Sequence, residues 1–452
     1  MKTLIKILGA IFFVIIFGII MMFIFQICPP EGPWIMPPWC SKSKESVNFN
    51  REVDNNSLVD DNNSISQKNE IKEETQKDEV LKDKIKEETQ KDEVLKDKTQ
   101  EEKKIENDFP GITRANFQKG VVFGAMKWSK DEKRYIQKGI DALNEFNVGW
   151  IAIVPEWFVF PDQNGTEIKP FYESMGKFPN SSNWITPTLS DDELIGIIKK
   201  AKQKGIKVVL KPQIDPIDFG VKSGSSRGSL HPSDWDLWFS NYKKFILHYA
   251  QLASQEGVKM LIIGTELDTA VREMPQATLK WNNLIKEIRK VYSGSLTYSA
   301  SCYGECWSPR QVGFWNNLDY IGFEPYFSLT HKNNPSVEEM KTAFDEKLNK
   351  YAKALFNRYH KPVIITEANV YSYDGVNQHP IDPPGANALP DSKEQADYYE
   401  ALFRSIQDKE WIEGIYWWAW YLKSTDSHAS YLNDLYDPFV RKPAGEVLKK
   451  WY

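Results

Sequence analysis

Two apolar segments of the chain each lead directly into a glutamate. Residues 261–265 are followed by Glu266, and residues 363–366 are followed by Glu367. A protonated carboxyl group can act as a general acid, and an ionised one can act as a base or a nucleophile. Two carboxyl groups on either side of a glycosidic bond are what glycoside hydrolysis requires, one to protonate the leaving oxygen and one to attack the sugar. The pair therefore predicts this chemistry, provided that the fold brings the two residues together.

The elements that must position them follow a strand–helix alternation from residue 120 onward. Eight apolar segments are predicted as strands: 121–126, 150–155, 207–212, 260–265, 296–301, 320–324, 362–366 and 415–419. Amphipathic segments predicted as helices lie between most of them: 131–146, 190–204, 235–255, 279–291, 336–359 and 392–408. Ser190 followed three residues later by Glu193 has the spacing of a capping box, which marks a helix start.

This alternation predicts an α/β fold, specifically a (β/α)8 TIM barrel. Glu266 then ends the fourth strand and Glu367 ends the seventh, and 101 residues (367 − 266) leave room for three strand–helix units between them. In such barrels the carboxyl ends of the strands form the face on which catalysis occurs. A doubly wound open sheet is less favoured, because no GxGxxG or GxxxxGK[ST] motif follows any strand.

The composition divides the chain into four parts. Residues 1–27 hold a cytoplasmic tip and a predicted transmembrane anchor, since 7–25 are uninterruptedly apolar and follow Lys2 and Lys6. That length suits a bilayer-spanning helix, and the positive flank places the N-terminus inside. Residues 28–41 are a Cys/Pro/Trp segment, 42–108 a charged spacer, and 109–452 the catalytic barrel. A membrane-anchored, extracytoplasmic enzyme is therefore predicted, with cleaved export and secretion as the alternative.

The spacer contains a tandem repeat, because IKEETQKDEVLKDK at residues 71–84 recurs identically at 85–98. Its apolar residues keep no continuous heptad seam, so a charged, partly helical spacer is predicted rather than a coiled coil. The four cysteines form two close pairs, Cys28 with Cys40 and Cys302 with Cys306. The sequence leaves open whether either pair is a disulfide.

Several classes of function are disfavoured. The formal net charge of −5 and the absence of a basic block beside aromatic residues argue against nucleic acid as a partner. The six histidines include no HxH or HExxH motif, and none ends a predicted strand, which argues against a metal-dependent hydrolase. No metal and no cofactor are therefore predicted, and the expected partners are a polysaccharide or oligosaccharide and the membrane.

Five stretches resemble those of Glycoside Hydrolase Family 113, a family of retaining (β/α)8 glycosidases whose known members are β-1,4-mannanases. They are LKPQID at 210–215, GTEL at 264–267, YIGFEPYF at 320–327, ITE at 365–367 and YWWAW at 416–420, and the resemblance spans about 117–452. It implies that Glu266 is the acid/base and Glu367 the nucleophile of an endo-β-1,4-mannanase. Many barrel glycosidases place Asn directly before the acid/base; here Thr265 stands there, as in Family 113.

Other residues near the predicted strand ends are candidates for supporting the pair or binding sugar. Tyr326 is predicted to donate a hydrogen bond that keeps Glu367 ionised. Glu324 is predicted to accept from a sugar hydroxyl. The remaining sugar-contact candidates follow strands one, two, three and eight or lie in the loop 220–230: Trp128, Glu156, Lys211, Gln213, Arg227, Trp418 and Trp420. Strict alternation along strand eight predicts that Trp418 and Trp420 share one side and Trp417 faces the other.

Two further interpretations remain open at this stage. The enzyme could act on another β-linked glycan, since mannan and glucan differ at the sugar 2-hydroxyl. A tethered carbohydrate-binding protein without turnover is the alternative from a different class, although it would normally lack one catalytic carboxylate. Replacing Glu367 by Gln separates the two, because it should abolish turnover and leave sugar binding intact.

Overall fold

The structure is a computed structural model that describes residues 111–123, 138–160, 165–172, 187–217, 226–420, 435 and 439–452. All of them belong to one compact unit, Asp97–Tyr452. Within these ranges no helix combines the length and the apolar character of a bilayer span. The predicted anchor at 7–25, the repeat-containing spacer, Cys28, Cys40 and Trp128 lie outside the described residues. The membrane anchor, the extracytoplasmic location and the boundary at residue 109 therefore stay predictions.

Eight parallel strands close into a barrel, as predicted. In chain order the described strands are β1 Gln118–Phe123, β2 Trp150–Ile153, β3 Glu156–Val159, β4 Ile168–Lys169, β5 Lys207–Leu210, β6 Gln213–Pro216, β7 Met260–Thr265, β8 Ser295–Ser301, β9 Ile321–Glu324, β10 Val363–Ala368 and β11 Ile412–Trp420. The barrel order is β1-β11-β10-β9-β8-β7-β5-β2. Each barrel strand corresponds to one of the eight apolar segments identified in the sequence. The (β/α)8 prediction is thus confirmed.

The α-helices with described bounds are α1 Asp191–Gln203, α2 Trp235–Gln255, α3 Asp268–Arg272, α4 Ala277–Val291, α5 Ser308–Gln311, α6 Val337–Lys347, α7 Lys353–Tyr359, α8 Ser392–Ile406 and α9 Pro443–Trp451. The predicted capping box is present at the start of α1. The Ser190 N–H donates to Glu193 Oε2 at 3.0 Å, and the Glu193 N–H donates to Ser190 Oγ at 3.4 Å. Together these bonds satisfy donors that a helix start leaves unpaired.

Apolar side chains fill two layers. Inside the barrel, alternate strand residues meet in a small cluster that includes Val122, Ile262 and Ile364. Outside it, the opposite faces of the strands pack against the helices in a much larger cluster. This alternation follows from the two-residue period of a strand.

A second, three-stranded sheet extends beyond the barrel and was not predicted. Its order is β4-β3-β6, and Glu156 of β3 pairs with Gln213 of β6 in parallel. Pro155 and Pro212 separate these strands from β2 and β5. Two of the barrel's strands therefore continue as a short ribbon at their carboxyl ends, where sequence periodicity showed only the end of a strand.

Candidate active site

Glu266 follows β7 directly and has a left-handed backbone conformation, with φ of 51°. This conformation is uncommon for a residue other than glycine, and such strain is concentrated at functional sites. The Glu266 N–H donates to the Ser299 carbonyl of β8 at 2.9 Å. Its carboxylate accepts from Arg227 Nη1 at 3.1 Å through Oε2 and from the Tyr303 hydroxyl through Oε1. The side chain stays 19 % exposed, so it is open to a substrate.

Glu367 lies near the end of β10, and each of its oxygens accepts a hydrogen bond. The Tyr326 hydroxyl donates to Oε1 at 2.5 Å, which is the contact predicted for this tyrosine. Lys211 Nζ donates to Oε2 at 2.5 Å. A buried ammonium group and a hydroxyl thus both donate hydrogen bonds to this one carboxylate.

Lys211 lies between two carboxyl groups, since its Nζ also bonds Glu324 Oε1 at 3.1 Å. Lys211 and Glu324 are both fully buried. Burial raises the pKa of Glu324 to about 8, opposed by Lys211 and reinforced by Glu266 and Glu367. Burial alone would lower the pKa of Lys211, but Glu324 and Glu367 raise it. One cation thus faces two carboxyl groups, and Glu324 is the one that holds a proton at neutral pH.

Asp215 of β6 holds Arg227, the cation beside Glu266, through two hydrogen bonds. Arg227 Nε donates to Asp215 Oδ1 at 2.8 Å and its Nη2 to Oδ2 at 2.5 Å. This fork-like pairing orients the guanidinium group toward Glu266 and offsets its charge. Burial, followed by a hydrogen bond to Asp215, raises the pKa of Glu156 well above its usual value.

The structure corrects the roles predicted for Lys211 and Glu324. Lys211 and Glu324 have no exposed side-chain surface, so neither can meet a sugar hydroxyl as placed. Lys211 is the counter-ion of Glu367, and Glu324 is a neutral group beneath it. The Arg227 guanidinium group holds Asp215 and Glu266, and because its side chain is 16 % exposed, the predicted sugar contact of Arg227 stays a prediction. The sequence located these residues at the site, but their partners lie on other strands.

The prediction for Trp420 as a sugar contact is wrong. Trp420 is fully buried, its indole N–H donates to the Gly139 carbonyl at 3.0 Å, and its ring meets Phe146 edge-on at 4.8 Å. The register of β1 against β11 shifts between Trp417 and Trp420, which inserts an extra residue and breaks the alternation. Trp417 and Trp420 both pack on the helix side, whereas Trp418 joins the barrel interior.

Trp418 and Gln213 keep their predicted roles as candidates. Trp418 is partly exposed, and Lys211 Nζ lies 6.0 Å from its ring. Gln213 is 4 % exposed, and its Nε2 has no hydrogen-bond partner among the described residues. A buried amide donor without a partner is costly, so a sugar hydroxyl would be a favourable acceptor.

Two residues of the site were not singled out from the sequence. Asp215 was noted only as part of a motif, and its pairing with Arg227 depends on the unpredicted ribbon. Tyr303 follows the end of β8, in a connection that the sequence showed only as short and irregular. The signal available was an aromatic residue between two cysteines four positions apart, directly after a predicted strand.

Among the described residues, one group of carboxylates has the spacing of a cation site. Oxygens of Asp374, Asp391 and Glu394 lie within 4.8 Å of one another. Protein donors already occupy them: Asn334 Nδ2 bonds Asp374 at 3.1 Å, the Gly375 N–H bonds Glu394 at 2.7 Å, and the Glu394 N–H bonds Asp391 at 2.8 Å. The group is explained by the start of α8 and the loop before it.

A closed eight-stranded barrel with two glutamates at the carboxyl ends of strands four and seven is an arrangement typical of barrel glycoside hydrolases. The chain belongs to Glycoside Hydrolase Family 113, whose family model matches residues 127–441, more than half of its length. It is therefore a glycoside hydrolase. No curated protein matches the chain in a sequence comparison.

Solved structures agree with this assignment. A GH113 β-1,4-mannanase is similar with a TM-score of 0.58 at 25 % identity, covering 74 % of this chain and 98 % of that one. The GH113 β-mannanase AaManA from Alicyclobacillus acidocaldarius, in complex with ManMIm, has a TM-score of 0.58 at 23 % identity, covering 75 % and 98 %. The second likeness speaks for the fold alone.

Proposed function

We propose that the chain is a retaining endo-β-1,4-mannanase in which Glu266 is the acid/base and Glu367 the nucleophile. The substrate is inferred from the solved GH113 structures, which are described as β-1,4-mannanases. The mechanism is inferred from the site. The observation that supports it most is the difference between the surroundings of the two glutamates.

Glu367 is in the environment that a nucleophile needs. Its carboxylate faces the buried cation Lys211 and the hydroxyl of Tyr326, each at 2.5 Å. Burial, followed by the charge of Glu367, raises the pKa of Tyr326 well above its ordinary value, so this hydroxyl remains a donor. Both contacts favour a negative charge that is ready to attack.

Glu266 is in a more balanced environment. The cation beside it, Arg227, is already paired with Asp215, and its other partner, Tyr303, is a neutral hydroxyl. Glu266 thus shares its cation with a second carboxyl group, Asp215, whereas the cation beside Glu367 is the buried Lys211. An acid/base must exchange its proton in each turnover, and this arrangement suits both charge states.

The reaction then takes two balanced steps. In the first, a Glu367 oxygen attacks the anomeric carbon while Glu266 gives its proton to the departing glycosidic oxygen, which leaves a glycosyl ester on Glu367. In the second, ionised Glu266 takes a proton from water, and that water attacks the anomeric carbon and releases Glu367. Two inversions give net retention of configuration.

The first test is release of reducing ends by the full-length protein from β-mannan, cellulose and xylan. Glu266→Ala and Glu367→Ala are compared with Glu346→Ala, because Glu346 is an exposed glutamate on α6. We expect turnover of mannan that both site variants lose and the control keeps. Turnover of another polymer alone would contradict the substrate but not the mechanism. Sugar binding without any turnover would favour a binding protein.

Azide distinguishes the roles of the two glutamates. In Glu266→Ala, azide can replace water in the second step, so an activated aryl glycoside should give a β-azide product. In Glu367→Ala, azide attacks the free anomeric carbon directly and should give the α-azide. Because the two products differ in configuration, NMR of each product assigns each residue. The opposite pattern would exchange the two roles, and no azide product from either variant would contradict the pair.

A further inference from the structure

The connection that follows β8 is a small loop closed by a disulfide between Cys302 and Cys306, whose Cα atoms are 4.3 Å apart. Both cysteines are buried. The loop turns through two left-handed residues, Gly304 with φ of 48° and Cys306 with φ of 53°. The Cys306 N–H donates to the Tyr303 carbonyl at 2.7 Å. Tyr303 is thus held in a short ring that begins where a barrel strand ends.

Side chains outside the ring fix its far edge. Arg310 of α5 donates from Nε to the Cys306 carbonyl at 3.1 Å and from Nη2 to the Glu305 carbonyl. The Glu305 carboxylate accepts from the Tyr351 hydroxyl at 3.3 Å and pairs with Lys350 at 3.4 Å. The loop is therefore attached to two neighbouring elements as well as closed on itself. A loop with this many constraints can hold a side chain in one position.

The side chain it holds connects the two glutamates. The Tyr303 hydroxyl donates to Glu266 Oε1, and the Tyr303 ring packs against the Tyr326 ring with centroids 5.6 Å apart and planes inclined by 30°. Tyr326 in turn donates to Glu367 Oε1 at 2.5 Å. A contiguous pair of tyrosine rings thus lies between the candidate acid/base and the candidate nucleophile.

We propose that Tyr303, held by the Cys302–Cys306 loop, is a positioning residue for the acid/base Glu266. The inference rests on the proposed function, because it takes Glu266 to be the proton donor. When Glu266 has given up its proton, the Tyr303 hydroxyl donates to the carboxylate that remains. The same bond stabilises the carboxylate as it forms in the transition state of the first step, which assists proton transfer to the leaving oxygen, and then holds it in place to activate water in the second step. The disulfide acts through Tyr303 by limiting the positions that the ring can reach.

The chemical state of Tyr303 agrees with this role. The Tyr303 ring is 39 % exposed, but desolvation of its hydroxyl within the site, followed by the negative charge of Glu266, raises the pKa of Tyr303 well above its ordinary value. The hydroxyl therefore stays protonated through the range in which carboxyl groups exchange protons. It can donate a hydrogen bond but does not compete with Glu266 for the catalytic proton.

The test compares two substrates that differ in their need for an acid. A β-1,4-manno-oligosaccharide leaves as an alkoxide that must be protonated, whereas 2,4-dinitrophenyl β-mannobioside leaves as a phenolate that needs no proton. For full-length Tyr303→Phe we expect kcat/KM on the oligosaccharide to fall about 10- to 100-fold, as for loss of a hydrogen bond to a charged group. On the aryl glycoside we expect kcat/KM to stay within about twofold. Tyr292→Phe is the matched control, since the buried Tyr292 hydroxyl donates to the Val258 carbonyl at 3.0 Å. This control should not change the ratio of the kcat/KM values for the two substrates.

The disulfide is tested with Cys302→Ser/Cys306→Ser, made with and without Tyr303→Phe. We expect the double cysteine variant to show the same substrate selectivity, and Tyr303→Phe to add little to it, because both changes remove one constraint. Circular dichroism confirms that each variant is folded. Equal losses of kcat/KM on both substrates would overturn the inference. It would also be overturned if the effects of the cysteine changes and of Tyr303→Phe on kcat/KM simply multiplied. If the wild-type enzyme cleaves neither substrate, the proposed function is overturned. If wild type is active and Tyr303→Phe has the same kcat/KM values as wild type, only this inference is overturned.

Discussion

Lys211→Met tests whether one buried cation keeps the candidate nucleophile ionised. The substitution preserves an unbranched side chain of similar length and removes the charge. Lys211 Nζ contacts Glu367 at 2.5 Å and Glu324 at 3.1 Å, and its side chain has no exposed surface. Without it, Glu367 has only the Tyr326 hydroxyl among its described partners, and the site contains two carboxyl groups with no adjacent cation.

The size of the effect follows from the loss of a buried charge pair. Removing one partner of such a pair costs about 3–5 kcal/mol. If that cost appears in the reaction, where every 1.36 kcal/mol is about tenfold, kcat/KM falls by about 10² to 5 × 10³. The acidic limb of the kcat/KM profile should also move to higher pH, because an uncompensated carboxylate takes up a proton more readily.

The assay is kcat/KM on a soluble manno-oligosaccharide from pH 4 to 9, with the full-length variant and wild type side by side. Lys207→Met is the matched control, because Lys207 begins β5, the strand that Lys211 directly follows, and is exposed. Thermal unfolding verifies that each variant is folded. A folded Lys211→Met that keeps kcat/KM within about threefold, or loses activity without a shift of the acidic limb, would refute the assignment of Lys211 as counter-ion.

Three further predictions concern other residues of the site. Because burial raises the pKa of Glu324 to about 8, the folded form keeps a proton that the unfolded form loses, so stability falls as pH rises from about 4.5 to 8. Over that window the free energy of urea unfolding should fall by about 3–5 kcal/mol less for Glu324→Gln than for wild type. Parallel curves of unfolding free energy against pH would contradict a protonated Glu324. Trp418→Ala should raise KM for oligosaccharides by about 10- to 100-fold with little loss of stability, whereas Trp420→Ala should cost about 3–5 kcal/mol in unfolding free energy; the reverse pattern would exchange their positions. Arg227→Met should lower kcat about tenfold and move the alkaline limb of kcat/KM to higher pH, since the cation that favours ionised Glu266 is lost; an unmoved limb would remove Arg227 from the acid/base environment.

The sequence by itself determined the barrel and the identity of its two glutamates. Each barrel strand is a short apolar segment, and each predicted helix has its own amphipathic period, so both signals are local and do not depend on distant residues. The capping box at Ser190 is local for the same reason. Strand ends in a parallel barrel share one face, and this geometry placed Glu266 and Glu367 together before any contact was known.

Only the tertiary structure decided what surrounds the pair. The neutral state of Glu324 depends on complete burial beside one shared lysine, and the pairing of Arg227 with Asp215 depends on a ribbon that continues past a proline. Tyr303 reaches Glu266 only because β7 and β8 are neighbours and a disulfide closes the loop that follows β8. Trp420 turned into the core because the register of β11 slips by one residue, which no periodic pattern reports. Such effects arise from contacts between distant segments, and burial, charge and register are properties of those contacts rather than of any one segment.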